Sequence, residues 1–219
     1  MDLLTAVDAE PLAATDVPAV RGDGTALPGG SLMRGRVLRM RVPGQPLVGK
    51  ATAVRQAGIE DADLLVSWHA DPEVAAFWDG ETYTEEQMLE RLARSDVDPY
   101  IIEHDDQPIG YLQAWFVPRE PGVAGLDMFL TPSARGQGFG PDAARTLATW
   151  LLGSGGMRRV TVDVDPANER AVQGWAKAGF RVEGGVRAAD EHNTHPWVLM
   201  VLEQPRVMSE RHLMEADRE

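Results

Sequence analysis

The sequence contains no cysteine, and its longest apolar runs are far shorter than a membrane span. The absence of cysteine excludes disulfide bonds, a thiol nucleophile and a cysteine-based metal site. The first residues do not follow the basic and then apolar layout of a signal peptide. We therefore expect a cytoplasmic protein without a membrane partner.

Positive charge is also scarce. The chain has 21 lysine and arginine residues against 34 aspartate and glutamate residues, which gives a net charge of −13. A chain with this balance does not neutralise phosphates over a broad face, so nucleic acid is excluded as a partner. An acidic cleft concentrates cations and favours a small cationic substrate, although the same charge also serves solubility. The length of 219 residues and a hydrophobic content of 43% predict one globular core.

Composition divides the chain into three parts. Residues 1–48 form an extension that is rich in glycine, proline, alanine and aspartate, and a basic run near its end allows one added strand over residues 37–42. The extension is either a mobile leader or an arm that packs on a second subunit. The main domain covers residues 49–204, and residues 205–219 form a charged tail.

Alternating and helical hydrophobic patterns follow one another along the main domain. They predict an α/β fold with a mixed, mostly antiparallel twisted sheet flanked by helices. Predicted strands cover residues 49–60, 99–104, 108–116, 125–130, 158–164, 180–187 and 197–203. Predicted helices cover residues 61–70, 71–78, a segment from 84, 141–152 and 166–178, and Gly179 is the residue expected to follow the last of them.

The stretch Arg135-Gly136-Gln137-Gly138-Phe139-Gly140 lies between a predicted strand and a predicted helix. Glycines leave room for several backbone N–H groups to converge on one anion, and a helix N-terminus adds partial positive charge. The spacing matches neither the P-loop nor the dinucleotide fingerprint. A pyrophosphate-carrying ligand is predicted, with a flexible glycine-rich linker as the alternative.

This loop resembles the acetyl-CoA loop of the GNAT N-acetyltransferases, which follows the pattern Arg/Gln-x-x-Gly-x-Gly/Ala. A second motif of that family is matched by the strand ending at Asp165, by Asn168 and Ala171, and by Lys177 before Gly179-Phe180. The resemblance implies the GNAT fold and acetyl-CoA as co-substrate. No metal is expected, because His192 and His195 lack the combination of acidic and cysteine residues that would suggest a metal site. Residues that it implies for cofactor binding are Met128, Phe129, Leu130, Arg135, Gly136, Gln137, Gly138, Phe139, Gly140, Asn168, Ala171 and Lys177.

Three further segments resemble the aminoglycoside 6′-N-acetyltransferases over about residues 50–203. They are residues 98–101, residues 107–113 and Gly125-Leu126-Asp127. This resemblance implies acetylation of an aminoglycoside amine, with the 6′-amine favoured, and antibiotic resistance. Either a monomer or a homodimer is expected.

Asp127 is the expected catalytic residue. A carboxylate within an apolar strand is costly unless it is paired or used, and in the resembled family this aspartate takes a proton from the attacking amine or orients it. The alternative is an outward-facing strand residue. The other residues expected to bind substrate are Trp78, Asp79, Glu81, Tyr83, Tyr100, Gln113, Asp163 and Asp165.

Several of these assignments have structural alternatives. The rings of Trp78 and Tyr83 suit stacking on sugars, and ordinary helix-end packing explains Trp78 equally well. Asp163 and Asp165 either bind amines or start the turn at Asn168. Lys177 either meets a CoA phosphate or is a solvated lysine. His69 and His104 are expected to pack or to lie at the surface.

One position departs from the resembled family. Trp175 stands where many GNAT enzymes have a tyrosine that protonates the CoA sulfur, and an indole does not serve as an acid. Either the thiolate leaves without a protein acid, or another hydroxyl serves, for which Tyr100, Tyr111 and Ser133 are the candidates.

Other functions within the same family stay open. They are acetylation of another amine or of a smaller aminoglycoside such as kasugamycin, acylation of hydroxylysine or a siderophore, and acetylation of protein N-termini. A module that binds acetyl-CoA without turnover is a further alternative.

Overall fold

The structure is a computed structural model that describes residues 42–75, 78, 82–116, 120–189 and 195–204. The strands are β1 (Leu47–Val48), β2 (Ala53–Gln56), β3 (Val97–His104), β4 (Gln107–Phe116), β5 (Val123–Leu130), β6 (Arg159–Val164), β7 (Arg181–Arg187) and β8 (Trp197–Glu203). The helices are α1 (Ala62–His69), α2 (Pro72–Ala75), α3 (Glu85–Leu92), α4 (Phe139–Leu152) and α5 (Glu169–Ala178). None of these helices combines the length and apolarity needed to cross a membrane.

The described strands form one sheet in the order β1-β2-β3-β4-β5-β6-β8-β7. Among the described strands only β5 and β6 pair in parallel, so the predicted mixed, mostly antiparallel sheet is confirmed. The predicted strand over residues 49–60 is wrong at both ends, because the chain turns at Gly49 and enters a 3₁₀ turn at Ile59. Apart from Val42, the strand predicted over residues 37–42 lies outside the described residues, and so does the tail of residues 205–219.

The sheet is covered on both faces. Helices α4 and α5 pack on one face against side chains such as Tyr100, Leu112 and Leu126. The segments α1, α2 and α3 contribute to a second core with Ile101, Tyr111 and Phe129 on the other face. Since side chains alternate along a strand, Asp127 shares the second face with Phe129.

Local signals set the helix ends. The Thr84 hydroxyl accepts from the backbone N–H of Gln87, whose side chain bonds back to the Thr84 N–H, so α3 begins with a capping box. Asn168 accepts from the N–H of Ala171 at the start of α5. Gly179 follows α5 with φ 104°, which confirms its predicted position after the helix.

Asp142 anchors the chain before β2 to the first turn of α4. Its carboxylate accepts from the backbone N–H groups of Lys50, Ala51 and Thr52 at 2.9 to 3.1 Å and from the Thr52 hydroxyl at 2.9 Å. Burial raises the pKa of this carboxyl, but the hydrogen bonds together outweigh burial and lower the pKa below its ordinary value. The segment therefore bends around the carboxylate instead of continuing β2.

We expect Asp142→Ala to lower the free energy of unfolding at neutral pH. The lowered pKa means that this stabilisation is present above the unfolded-state pKa of the carboxyl and is lost as the pH falls through the folded-state value. Chemical denaturation at a series of pH values should show a deficit that shrinks on acidification. The matched control is Asp63→Ala, an exposed aspartate in the first turn of α1. A deficit that is equal at all pH values would contradict the prediction.

The sheet opens between β5 and β6. Their parallel pairing covers only Val123–Gly125 against Arg159–Thr161, although β5 continues to Leu130 and β6 to Val164. Beyond Gly125 the side of β5 that faces β6 has no strand partner in the described sheet. Backbone donors and acceptors at this edge are therefore available to a ligand.

Gly125 lies under the indole of Trp115 at this same point. A Cβ atom built on Gly125 would be 2.0 Å from Cε2 and 2.1 Å from Cζ2 of that ring. Only glycine allows the indole to cover the backbone here. The pair therefore closes the sheet where β5 and β6 begin to separate.

Candidate active site

A cleft of about 300 Å³ lies where β5 and β6 diverge, between the end of β5, the glycine-rich loop and α5. Its lining includes most of the residues expected to bind a cofactor. They are Met128, Phe129, Leu130, Arg135, Gly136, Gly138, Gly140, Asn168, Ala171 and Lys177. The fold thus brings together two motifs that are separate in sequence.

The glycine-rich loop has the backbone that its sequence predicts. Gly136 and Gly138 adopt φ of 81° and 88°, a region that strongly favours glycine, and Gly138 is the N-cap of α4. A Cβ on Gly138 would have no protein atom within 4 Å, so it would project into open space. The first N–H groups of α4 have no partner within the helix, which is the arrangement that binds anions.

Two loop side chains do not line the cleft. Phe139 is buried and stacks at 4.2 Å on the ring of His104, while the amide of Gln137 donates to the carbonyl of Ser133 at 2.9 Å. The expected contact of these two residues with a cofactor is therefore limited to their backbones. Phe139 instead fixes the first turn of α4 to β3.

Arg135 has protein partners on three of its nitrogens. Its Nε donates to the carbonyl of Leu130 at 3.0 Å, and its two terminal nitrogens donate to the side chain and the carbonyl of Glu73 at 3.1 Å. Glu73 is in α2, so the guanidinium ties the glycine-rich loop to the helix on the far side of the cleft. The local pattern did not reveal this contact, because the two residues are 62 positions apart.

Arg170 is a cleft residue that sequence reasoning missed. It lines the cleft from the first turn of α5, and its Nη2 lies 3.5 Å from the position of a Cβ on Gly136. Its guanidinium therefore reaches across to the glycine-rich loop. The signal was its position inside the Asn168–Ala171 motif. Lys177, at the other end of α5, also lines the cleft and is exposed.

Asp127 immediately precedes the cleft residues of β5 and is only 3% exposed. The alternative that it faces outward is therefore wrong. Gln113, opposite it on β4 and 1% exposed, donates from Nε2 to its Oδ2 at 2.9 Å. The hydroxyl of Tyr111 donates to Oε1 of the same glutamine at 3.1 Å.

An aromatic cluster lies beside this carboxylate. His69, the buried last residue of α1, has its ring 5.1 to 6.0 Å from the rings of Trp78, Tyr83, Tyr111 and Phe129. Burial lowers the pKa of His69 to about 4, so the imidazole is neutral at physiological pH. The expectation that this histidine packs is confirmed.

Two members of this aromatic cluster, Trp78 and Tyr83, were expected to stack on sugars. Trp78 is 6% exposed and packs in the core, as its structural alternative proposed. Tyr83 has the guanidinium of Arg91 4.5 Å above its ring, so one face is covered by a cation. Asp79 and Glu81 lie outside the described residues.

Tyr100 does not lie with Asp127. It pairs with Leu112 rather than with Gln113, is fully buried and packs in the core under α4. Because neighbouring residues of a strand point to opposite faces, its side chain lies on the sheet face opposite that of Asp127.

The two acidic residues at the end of β6 differ from each other. Asp165 accepts from the N–H of Ala167 at 2.8 Å and so shapes the turn before α5, as its structural alternative proposed. Asp163 alternates with the buried Val162 and Val164, so it lies on the sheet face of Asp127. Only Asp163 thus keeps a position that suits an acceptor amine.

The described lining of the cleft contains no serine, threonine or tyrosine. Trp175 is 7% exposed, lines the cleft and packs edge-on against Phe180. The three candidate hydroxyls all lie elsewhere, on Tyr100, Tyr111 and Ser133. The residues that the structure describes also contain no group of three or more metal-ligating side chains.

Comparison with known proteins agrees with this geometry. The model of the acetyltransferase (GNAT) domain matches residues 59–188. Aminoglycoside N(6′)-acetyltransferase type 1 of Klebsiella pneumoniae is 30% identical in an alignment of 148 residues that covers 59% of this chain and 74% of that protein. A kanamycin resistance protein of Rhizobium radiobacter is 33% identical over 77 residues, 35% of this chain and 71% of that protein.

A solved structure is similar over most of the fold. It is the aminoglycoside acetyltransferase AAC(6′)-Ib with coenzyme A and kanamycin, at 26% identity and a TM-score of 0.62, covering 77% of this chain and all of that one. Another structure of that enzyme contains acetyl-CoA. The confirmed fold therefore extends well beyond the two sequence motifs.

Proposed function

The chain belongs to the GNAT family of acetyltransferases, and we propose that it transfers the acetyl group of acetyl-CoA to the 6′-amine of an aminoglycoside and so confers resistance. The observation that carries the acceptor class is its 30% identity over 148 residues to an aminoglycoside N(6′)-acetyltransferase, of which it spans 74%. Asp127, buried beside the cleft, supplies the chemical group that such a transfer needs.

Acetyl-CoA is held in two parts of the cleft. The pyrophosphate lies on the glycine-rich loop and the N-terminus of α4, where backbone N–H groups and the helix dipole favour an anion. The pantetheine arm follows the unpaired side of Met128–Leu130, in the position that a neighbouring strand would otherwise take. Asn168 and Ala171 contribute by capping α5, because the Asn168 side chain accepts a hydrogen bond from the backbone N–H of Ala171.

Asp127 accepts a proton from the acceptor amine as the nitrogen attacks the thioester carbon. A backbone N–H of Met128–Leu130, the part of β5 that lines the cleft, stabilises the oxyanion of the tetrahedral intermediate. The C–S bond then breaks, the amide forms and CoA leaves as its thiolate. Because the described cleft has no hydroxyl side chain, that thiolate takes its proton from solvent.

The acceptor lies on the sheet face that carries Asp127 and Asp163. Carboxylates there attract the ammonium groups of an aminoglycoside. Tyr83 and Trp78 belong to the aromatic cluster that borders this face. Asp79 and Glu81 remain predicted ligands of the substrate amines.

Release of CoA thiol from acetyl-CoA against a panel of amines tests the proposal. The panel contains kanamycin, tobramycin, gentamicin, kasugamycin, hydroxylysine, spermidine and a short peptide. We expect release with kanamycin and tobramycin, and mass spectrometry should place the acetyl group on the 6′-nitrogen. Expression in a susceptible bacterium should raise the inhibitory concentration of the same drugs.

Two results would contradict the acceptor class. Release only with hydroxylysine, spermidine or peptide would move the protein to another branch of the family. Binding of acetyl-CoA without release on any amine would favour a module that does not turn over. The 6′ assignment fails separately if another aminoglycoside nitrogen carries the acetyl group.

Arg170→Gln tests which cation meets the CoA phosphates. We expect its dissociation constant for acetyl-CoA to rise about tenfold, the size of one charge-assisted hydrogen bond. Binding of S-acetylpantetheine, which lacks the nucleotide, should not change. Arg158→Gln removes the same charge from an exposed position outside the cleft and is the control. Equal losses for both ligands would show that Arg170 acts through the fold of α5.

A further inference from the structure

Tyr111, Gln113 and Asp127 form a buried string of hydrogen bonds across β4 and β5. The Tyr111 hydroxyl donates to Gln113 Oε1 at 3.1 Å, and Gln113 Nε2 donates to Asp127 Oδ2 at 2.9 Å. Register fixes the string, because Gln113 is directly opposite Asp127 and Tyr111 is directly opposite Phe129. Both atoms of the amide are thus used inside the protein, which differs from the expected contact of Gln113 with substrate.

The string has a direction. An ionised carboxylate only accepts hydrogen bonds, so it requires the amide nitrogen to face it. The amide oxygen then faces Tyr111 and needs a donor, which a phenol supplies. The two dipoles align head to tail toward the carboxylate and stabilise its negative charge. Protonated Asp127 still accepts this hydrogen bond on its carbonyl oxygen, but a neutral acceptor gains less from it, so the string favours the ionised form.

The phenol is held in the orientation that the string needs. Tyr111 is 6% exposed, and its ring lies 5.7 Å from Phe129 and 5.9 Å from Trp78. Burial raises the pKa of Tyr111, with Arg91 and Arg94 lowering it and Asp127 raising it further, so the hydroxyl keeps its proton. His69, whose ring lies 6.0 Å from that of Tyr111, is neutral.

We propose that Gln113 and Tyr111 are positioning residues that keep Asp127 ionised and fix the orientation of its carboxylate for proton transfer. This inference rests on the proposed function, in which Asp127 is the base. Gln113 acts directly on the carboxylate, and Tyr111 acts through the amide. The acid limb of the pH profile therefore depends on both residues.

The test is the pH dependence of kcat/KM for the amine at saturating acetyl-CoA. Gln113→Met keeps the length of the side chain and removes both hydrogen bonds, and Tyr111→Phe removes one hydroxyl. We expect the acid limb to move to higher pH by about one unit for Gln113→Met and about half a unit for Tyr111→Phe. The KM for acetyl-CoA should stay within about twofold, because the cofactor cleft is unaltered.

Tyr100→Phe is the matched control. It also removes a buried tyrosine hydroxyl, but one that makes no hydrogen bond with described residues and lies on the other face of the sheet. Its acid limb should coincide with that of the wild type. Circular dichroism and thermal denaturation of all three variants separate loss of folded protein from a change in profile.

Two outcomes are distinguishable. If Gln113→Met and Tyr111→Phe lose activity without any movement of the acid limb, the string is only structural and the inference is overturned. If Asp127→Asn itself keeps the wild-type rate and profile, Asp127 is not the base, and that part of the proposed function fails first. Movement of the limb in the predicted order supports the inference.

Discussion

Asp127→Asn is expected to lower kcat for aminoglycoside acetylation by a factor of about 10²–10⁴, the usual contribution of a general base. The carboxamide has nearly the same shape and retains an oxygen that accepts from Gln113. The loss should therefore reflect the missing base, and the KM for acetyl-CoA should hardly change. Steady-state kinetics over pH 5 to 9 measures both quantities and should show that the acid limb disappears.

Asp163→Asn supplies the comparison for this variant. Its carboxylate lies on β6, on the same face of the sheet, and we assign it to binding the acceptor. It should mainly raise the KM for the amine, with a smaller loss in kcat. If Asp127→Asn keeps the wild-type rate, Asp127 is not the base. Identical kinetic changes in the two variants would remove the distinction between base and binding group.

Gly138→Val is expected to weaken acetyl-CoA binding by about 100-fold or more, a change of about 3 kcal/mol. A branched side chain at φ 88° strains the backbone, and it also fills the space where the pyrophosphate would meet the N-terminus of α4. No protein atom lies within 4 Å of its Cβ, so the fold itself accommodates the added atom. Isothermal titration calorimetry measures the affinity.

The control for this variant is Gly156→Val. Gly156 has φ 75° and also has no atom within 4 Å of an added Cβ, but it lies in the turn after α4 and outside the cleft. Both variants should lose similar stability from backbone strain, about 1–2 kcal/mol. Only Gly138→Val should lose acetyl-CoA. Equal affinities for the two variants would overturn the loop assignment.

The cleft between the glycine-rich loop and α5 was largely predictable from sequence. Its glycine-rich loop and α5 are two continuous segments, each with a strand before it and a helix start within it. Such local features depend on φ preferences and caps, which the residues themselves specify. The long-range contacts of the same segments were not predictable, and Arg135 shows why. Its partner Glu73 comes from α2, which only the packed fold brings near.

The sheet face around Asp127 was predicted less well, because its composition depends on the register of neighbouring strands. Pro99, and not Tyr100, stands opposite Gln113, and this shift of one residue turns the tyrosine into the other core. Trp78 likewise has a ring that suits stacking on a sugar, but the side chain is buried and packs in the core. A single sequence specifies the hydrophobic pattern of these elements and leaves their register open.

The contact between Trp115 and Gly125 limits how this protein can evolve. With the indole 2.0 Å from the position of a Cβ at residue 125, every other amino acid is blocked there while the tryptophan remains. Replacement of the tryptophan by a small residue would have to come first, and that change alone leaves a cavity beside the strand of Asp127. Each single step is thus harmful and the double change less so, which predicts that the two positions vary together among descendants of this sequence.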